Sequence, residues 1–329
     1  MNRFLRNGVL MTLSLLLTTS ASYSIAQVTL PIANLGATSF EDGPAGPGWA
    51  VEQYATYGYG SQTNDGRGNK VPGTNTLTTN MFLEHLCHYS THRILGGLYG
   101  VEVLVPFVDV GLNSVVAGDN RARGLGDLMV SPLMLVWNPQ KIAGRLFFHR
   151  ATVDIVVPTG KYSDQRPLNP GNNVVSVNPW YAFTYYPLKN STKLEVSSRV
   201  HYLWNSENDA PFVSYGIKSM KAGQAFHENY AASYEVAKGI RVGFNGYAVQ
   251  QFTDNRISGA AIANSRKRLF GSGPGAQFGG RGLWFYVNAY FESGARNTVQ
   301  GTRVNFRVLK TFGGPEHSQV AVPPLPASM

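Results

Sequence analysis

Thr192–Asn205 reads TKLEVSSRVHYLWN, and its side chains alternate. Leu194, Val196, Val200, Tyr202 and Trp204 fall on one face of an extended chain. Lys193, Glu195, Ser197, Arg199, His201 and Asn205 fall on the other. A period of two with one apolar and one charged face defines an amphipathic strand, and helical spacing does not fit this window.

The same pattern recurs along the chain. In Leu283–Glu292, Leu283, Phe285, Val287, Ala289 and Phe291 alternate with Trp284, Tyr286, Asn288, Tyr290 and Glu292. Val304, Phe306 and Val308 oppose Arg303, Asn305 and Arg307. Val242, Phe244 and Ala248 oppose Arg241, Asn245 and Gln251, while Ala151, Val153, Ile155 and Val157 oppose Arg150, Thr152 and Asp154. In order, the candidates predict about twelve strands, near 49–59, 76–89, 97–110, 125–137, 145–158, 174–186, 192–205, 224–236, 240–252, 268–278, 283–294 and 302–312, each of a length a tilted membrane strand requires. Pro132 and the run Gly271, Gly273, Pro274, Gly275 mark bends or bulges in two of them.

The connections alternate as well. Those at 60–75, 111–124, 159–173, 206–223 and 253–267 are long, and those at 90–96, 138–144, 187–191, 237–239 and 279–282 are shorter; 295–301 breaks the rule by being short. Long loops on one side and tight turns on the other suit an outer-membrane barrel, and an even strand number returns both termini to the periplasm. Composition agrees: 36 glycines, 17 tyrosines, 17 phenylalanines and only 14% charged residues, against about 25% in soluble domains. Trp49, Trp137, Trp180, Tyr181, Tyr185, Tyr186 and Trp204 lie near predicted strand ends, where aromatic girdles form.

The N-terminus reads as a signal for export. Arg3 and Arg6 precede an apolar core from Val9 to Leu17, and Ser24 and Ala26 stand at the −3 and −1 positions of a cleavage site. This predicts a cleaved signal peptide over 1–26 and passage through the general secretion pathway. Residues 27–48, rich in Gly and Pro and carrying Glu41 and Asp42, are either a plain linker or a segment folding into the barrel mouth as plugs do. The barrel is expected over 49–312, followed by a disordered Pro-rich tail over 313–329.

With 28 basic against 19 acidic residues, the formal charge is +9. The basic residues are scattered, with no basic run interleaved with aromatics, so nucleic acid is not an expected partner. The anionic outer leaflet, with its lipopolysaccharide, and a charged lumen account for the excess. The one cysteine, Cys87, cannot form an internal disulfide, and a small packing residue is the expectation for it.

Several stretches carry a family resemblance: Leu30–Trp49, Gly124–Trp137, Val153–Tyr162, Pro170–Asn173, Pro179–Thr184, Gly223–Tyr234, Gly246–Asp254 and Gly271–Ala276. Together they resemble the outer-membrane proteins described as involved in the meta-pathway of phenol degradation, a transporter-like barrel family, over nearly the whole mature chain. The resemblance implies passage of small aromatic or hydrophobic molecules. It supplies no catalytic residues, and no cofactor is expected.

Catalytic and metal-binding chemistry fit the chain less well. His85, His88, Ser90 and His92 cluster at a predicted strand end near the periplasm, away from where a lipid hydrolase would act. Positions 85 and 88 point to opposite faces of a strand, which argues against a shared metal. Asp65–Gly66 reads as a hairpin turn rather than an ion-binding loop. What remains is the lumen face, assigned by alternation to Arg150, Asp154, Lys193, Glu195, Arg199, His201, Arg241, Arg303 and Arg307, joined by Trp284, Tyr286 and Tyr290. Mixed charges there either form a rigid ion-paired interior or a selectivity surface, with Arg241, Arg303 and Arg307 favouring anions such as aromatic carboxylates.

The sequence therefore predicts an all-β chain, a transmembrane antiparallel up-and-down β-barrel of about twelve strands in the Gram-negative outer membrane, inserted by the barrel-assembly machinery. Its expected activity is uptake of small hydrophobic or aromatic compounds without enzymatic chemistry. A closed structural or adhesive barrel is the alternative, and an outer-membrane hydrolase is a weaker one.

Overall fold

The computed structural model describes residue 30 and residues 34–73, 75–114 and 118–313. The signal peptide and nearly all of the C-terminal tail expected from the sequence lie outside the described residues.

Twelve long strands close into one barrel. They are β1 (Gly48–Asn64), β2 (Asn75–Ile94), β3 (Gly97–Ser114), β4 in two pieces (Gly118–Leu125 and Leu128–Val136), β5 (Arg145–Val157), β6 (Ser176–Tyr185), β7 (Leu194–Asn205), β8 (Ala225–Ala237), β9 (Ile240–Gln251), β10 (Arg268–Gly280), β11 (Leu283–Arg296) and β12 (Thr298–Phe312). Each pairs antiparallel with its sequence neighbours, and β12 pairs back onto β1, from Trp49↔Phe312 to Asn64↔Thr298. Closure leaves no strand edge, as hydrocarbon demands when no water is present to satisfy the backbone.

The outer wall is apolar and exposed: Tyr57, Phe82, Phe107, Phe226, Phe244, Phe291 and Phe306 are each more than half exposed. Their neighbours one residue along point inward and are buried, among them Thr56, Asn245, Tyr290, Asn305 and Arg307. An inverted distribution of this kind is stable only with lipid on the outside. No helix among the described residues is long and apolar enough to cross a membrane, which is silent on strands.

Two expectations about connections need correction. The stretch 111–124 is mostly strand, since β3 runs to Ser114 and β4 resumes at Gly118. Beyond the lipid both faces of a hairpin are wet, so polar residues such as Asp119, Asn120 and Arg121 extend the ladder without alternation. The connection expected over 295–301 shrinks to Asn297, which takes a left-handed φ of 49°. The irregular strands do bend: β4 breaks at Gly126–Asp127 and shifts register again between Val130 and Leu133, around Pro132. At the long-loop end, Asp127 ties this break to the loop after β5, accepting from Gly160 N at 3.0 Å and Asn172 N at 2.7 Å.

Candidate lumen site

The lumen is occupied by the chain's own N-terminal segment. From Gly48, at the end of the barrel where β1 and β12 meet, residues 47 back to 34 climb inside to mid-depth. The segment is fixed by main-chain groups reaching wall side chains. Gly36 N donates to Asn229 Oδ1 at 2.9 Å, and Tyr290 Oη donates to Gly36 O at 2.7 Å. Asn305 Nδ2 reaches Leu35 O at 3.2 Å, and Gly43 N donates to Thr184 Oγ1 at 2.8 Å. Phe40 is fully buried. Gly275 on β10 makes room for it, since a Cβ there would lie 3.0 Å from the Phe40 ring.

The acidic pair forms the ionic centre. Asp42 accepts from Arg199 Nε at 2.7 Å and Nη2 at 2.5 Å, and from Arg150 Nη2 at 2.8 Å. Arg150 Nε also donates to the Asp42 carbonyl at 2.8 Å. Burial alone would raise the Asp42 carboxyl, but Arg199 and Arg150 beside it hold it well below the usual carboxylate range. Glu41 lies 3.1 Å from Arg241 Nε and accepts from Tyr186 Oη at 2.8 Å and Gln277 Nε2 at 3.0 Å. Charges removed from water persist only with such partners.

Aromatic rings interleave with these guanidinium groups. Arg199 lies 3.9 Å and Arg150 5.3 Å from the centre of the Trp180 ring, and Arg307 stacks 3.6 Å above Tyr286. Trp180 and Tyr186 were expected in an interfacial girdle; both are instead buried inward, at 4% and 1% exposure. Trp49 and Tyr181 do face outward, nearly half exposed.

Most of the other residues assigned to the lumen face point inward. Asp154 accepts from Trp180 Nε1 at 2.9 Å and Ser131 Oγ at 2.7 Å. Glu195 accepts from Ser197 at 2.5 Å and Ser233 at 2.7 Å. His201 is buried, with its ring centre 4.9 Å from that of His227. Arg303 lies 3.6 Å from Glu292, and Arg307 lies 3.5 Å from Glu52. Trp284 is only half-buried, near the terminal end. Lys193 is a correction: it is exposed, and β7 begins one residue later, so the alternation that placed it inside has not yet started.

Sequence reasoning missed a second group of interior carboxylates. His85 Nε2 meets Glu102 at 2.7 Å while its Nδ1 lies 3.5 Å from Glu52. Glu52 and Glu102 sit in strands where polar residues on the outer face, such as Gln53, blur the alternation. His88 packs on Trp49 instead, with ring centres 4.4 Å apart, and Ser90 Oγ donates to Tyr99 O at 3.0 Å. The His–Ser cluster is thus divided between the two faces of the wall.

A closed antiparallel barrel with an apolar outside, a polar inside and its own leading segment in the lumen is a channel-like outer-membrane barrel. The sequence model described as "Putative MetA-pathway of phenol degradation" matches residues 60–308, and the chain belongs to that family. The fold is similar to that of an outer membrane channel from Pseudomonas putida F1, with a TM-score of 0.72 at 21% identity, covering 84% of this chain and 100% of that one. It is also similar to the transport unit of the autotransporter AIDA-I from Escherichia coli, with a TM-score of 0.53 at 10% identity, covering 84% and 93%. No curated protein matches this chain.

Proposed function

We propose that the protein is an uptake channel for small hydrophobic or aromatic compounds, aromatic carboxylates foremost, with its N-terminal segment closing the lumen at rest. The observation that carries this reading is the Asp42 site. A carboxylate sits between Arg150 and Arg199 with the face of Trp180 alongside. A flat carboxylic acid presents the same two features, an anion for a guanidinium fork and a ring to lie against an indole. Such a compound would compete with Asp42 for its partners as the segment withdraws. Arg307 over Tyr286 repeats the combination on the opposite wall.

The test is uptake by intact cells. A deletion strain and its complemented parent receive, in turn, a low concentration of labelled aromatic acid, long-chain lipid or sugar. Selective loss of the aromatic acid on deletion supports the channel, and replacing Arg199 by Gln should then reduce aromatic-acid uptake further than sugar uptake. Equal entry of all three in both strains refutes transport. The filled lumen would then favour a second reading, a closed structural barrel whose long loops meet a surface partner.

A further inference from the structure

The outer wall carries a basic cleft that the lumen chemistry does not use. Arg268, the first residue of β10, and Arg296, the last of β11, are register partners across an antiparallel pair. Like charges directly opposite one another destabilise a sheet, so this pairing needs a counter-ion. Both point away from the lumen. Arg268 shares its face with the exposed Phe270, and Arg296 follows Ala295, which is 1% exposed and packs inward on Tyr247 and Tyr290. A third guanidinium, Arg266, lies beside them. Together with Gln250, Asn264 and Asp254 the three arginines line a cleft of about 480 Å³.

The cleft is built rather than loose. Arg268 Nε donates to Gly294 O at 3.0 Å, and its guanidinium lies 5.6 Å from the Phe270 ring. Arg266 is forked onto Asp254 at 3.0 and 3.4 Å. Asp254 is the one carboxylate lining the cleft, so it offsets one of three positive charges and leaves two.

Its depth identifies what faces it. Immediately toward mid-membrane come the outward rings of Phe270 and Phe291, and the Phe226–Phe252 stack, with centres 5.1 Å apart, stands level with the cleft, since Phe226 is the register partner of Gln250. Toward the other side come the long loops. The arginines therefore sit where acyl chains give way to headgroups, on the leaflet facing the exterior. That leaflet is built from phosphorylated glycolipid, and a phosphate monoester carries about −1.5 to −2 charge near neutral pH, which matches the excess. Arginine is suited to it because its fork binds phosphate oxygens in pairs.

We propose that Arg266, Arg268 and Arg296 form a binding cleft for a phosphate group of an outer-leaflet glycolipid, lipid A. This rests on the outer-membrane fold and is independent of what crosses the lumen.

The test uses the full-length barrel in zwitterionic detergent. It is titrated with bisphosphorylated lipid A, dephosphorylated lipid A and inorganic phosphate, with heat-dependent gel mobility confirming that each variant is folded. Bisphosphorylated lipid A should bind most tightly and lose affinity as salt rises. The Arg268→Gln, Arg296→Gln double variant should bind it at least tenfold more weakly, while Lys189→Gln, exposed on a turn at the opposite end, leaves binding unchanged. Thermal unfolding adds a readout that general damage would not give. Without lipid, Arg296→Gln relieves the cross-strand repulsion and should raise the melting temperature; with lipid A, the same variant should melt below the wild type. Wild-type affinity in the double variant, equal binding of dephosphorylated lipid A, or inorganic phosphate binding as tightly as the lipid would each overturn the proposal.

Discussion

Replacing Asp42 with Asn should unseat the N-terminal segment, and the protein carries its own reporter for the event. Asp42 is buried, with a side chain 2% exposed, and takes three charge-assisted hydrogen bonds from two arginines. The neutral amide leaves Arg150 and Arg199 buried with no anion between them, whereas in the withdrawn state water reaches both. Removing one partner of a buried ion pair costs about 3–5 kcal/mol, and about 1.4 kcal/mol is a factor of ten. The docked-to-withdrawn ratio should therefore fall by between roughly two and three and a half powers of ten. Cys87, the single cysteine, faces the lumen at 4% exposure with Ala45 of the same segment packed on its cluster. A small polar thiol reagent reaches it only when the segment withdraws. At fixed pH its labelling rate then follows the withdrawn fraction, up to the limit set by a variant lacking residues 34–47. Labelling of Asp42→Asn at the wild-type rate, while the truncated variant labels fast, would refute the ionic account of docking.

Three further outcomes follow from the same contacts. Glu41→Gln should accelerate Cys87 labelling less than Asp42→Asn, by about tenfold, because Glu41 is 23% exposed and two of its three partners are uncharged. Gly36→Val should unseat the segment at its upper end: Gly36 has φ +67°, and a Cβ would fall 2.5 Å from Tyr290 Cζ. Gly46→Val, with nothing within 4 Å, is the matched control that should label like the wild type. Lowering the pH should leave conductance across a planar bilayer unchanged from pH 7 to about 4 and raise it only below that. The docked Asp42 carboxyl is depressed relative to about 3.9 in the free segment, so its contribution is complete above that value and lost as pH falls through the docked one. A conductance rise between pH 7 and 5 would assign closure to another group.

Much of the barrel was legible because lipid imposes a simple rule. In β7, β11 and β12 the outer face must be apolar and the inner face is free to be polar, so Val196, Val200, Phe291 and Phe306 marked the outside without knowledge of register. The rule fails where its cause ends. Gly118–Leu125 stands beyond the lipid, both faces are wet, and its polar sequence read as loop. Pairings across the barrel were also out of reach. That Glu52 meets both His85 and Arg307 depends on β1 lying between β2 and β12, which is a property of closure and not of any one strand.

The N-terminal segment was less legible, since many of its attachments use main-chain groups. Asn34 O, Leu35 O, Gly36 N and O, and Gly43 N bond to wall side chains, and composition carries no trace of a carbonyl's partner. The legible sign was ionic. A wall rich in inward arginine requires inward carboxylates, and the segment holds two adjacent ones. Those arginines divide by partner in a way the sequence did not suggest. Arg303 and Arg307 are matched by wall residues Glu292 and Glu52, whereas Arg150, Arg199 and Arg241 are matched by Asp42 and Glu41 of the segment. Withdrawal leaves the first pair neutralised and strips the second group of its anions. The groups able to select an incoming anion are therefore Arg150, Arg199 and Arg241, beside Trp180 and Tyr186. Substituting Arg199 should change which acids enter, and substituting Arg303 should first loosen the wall.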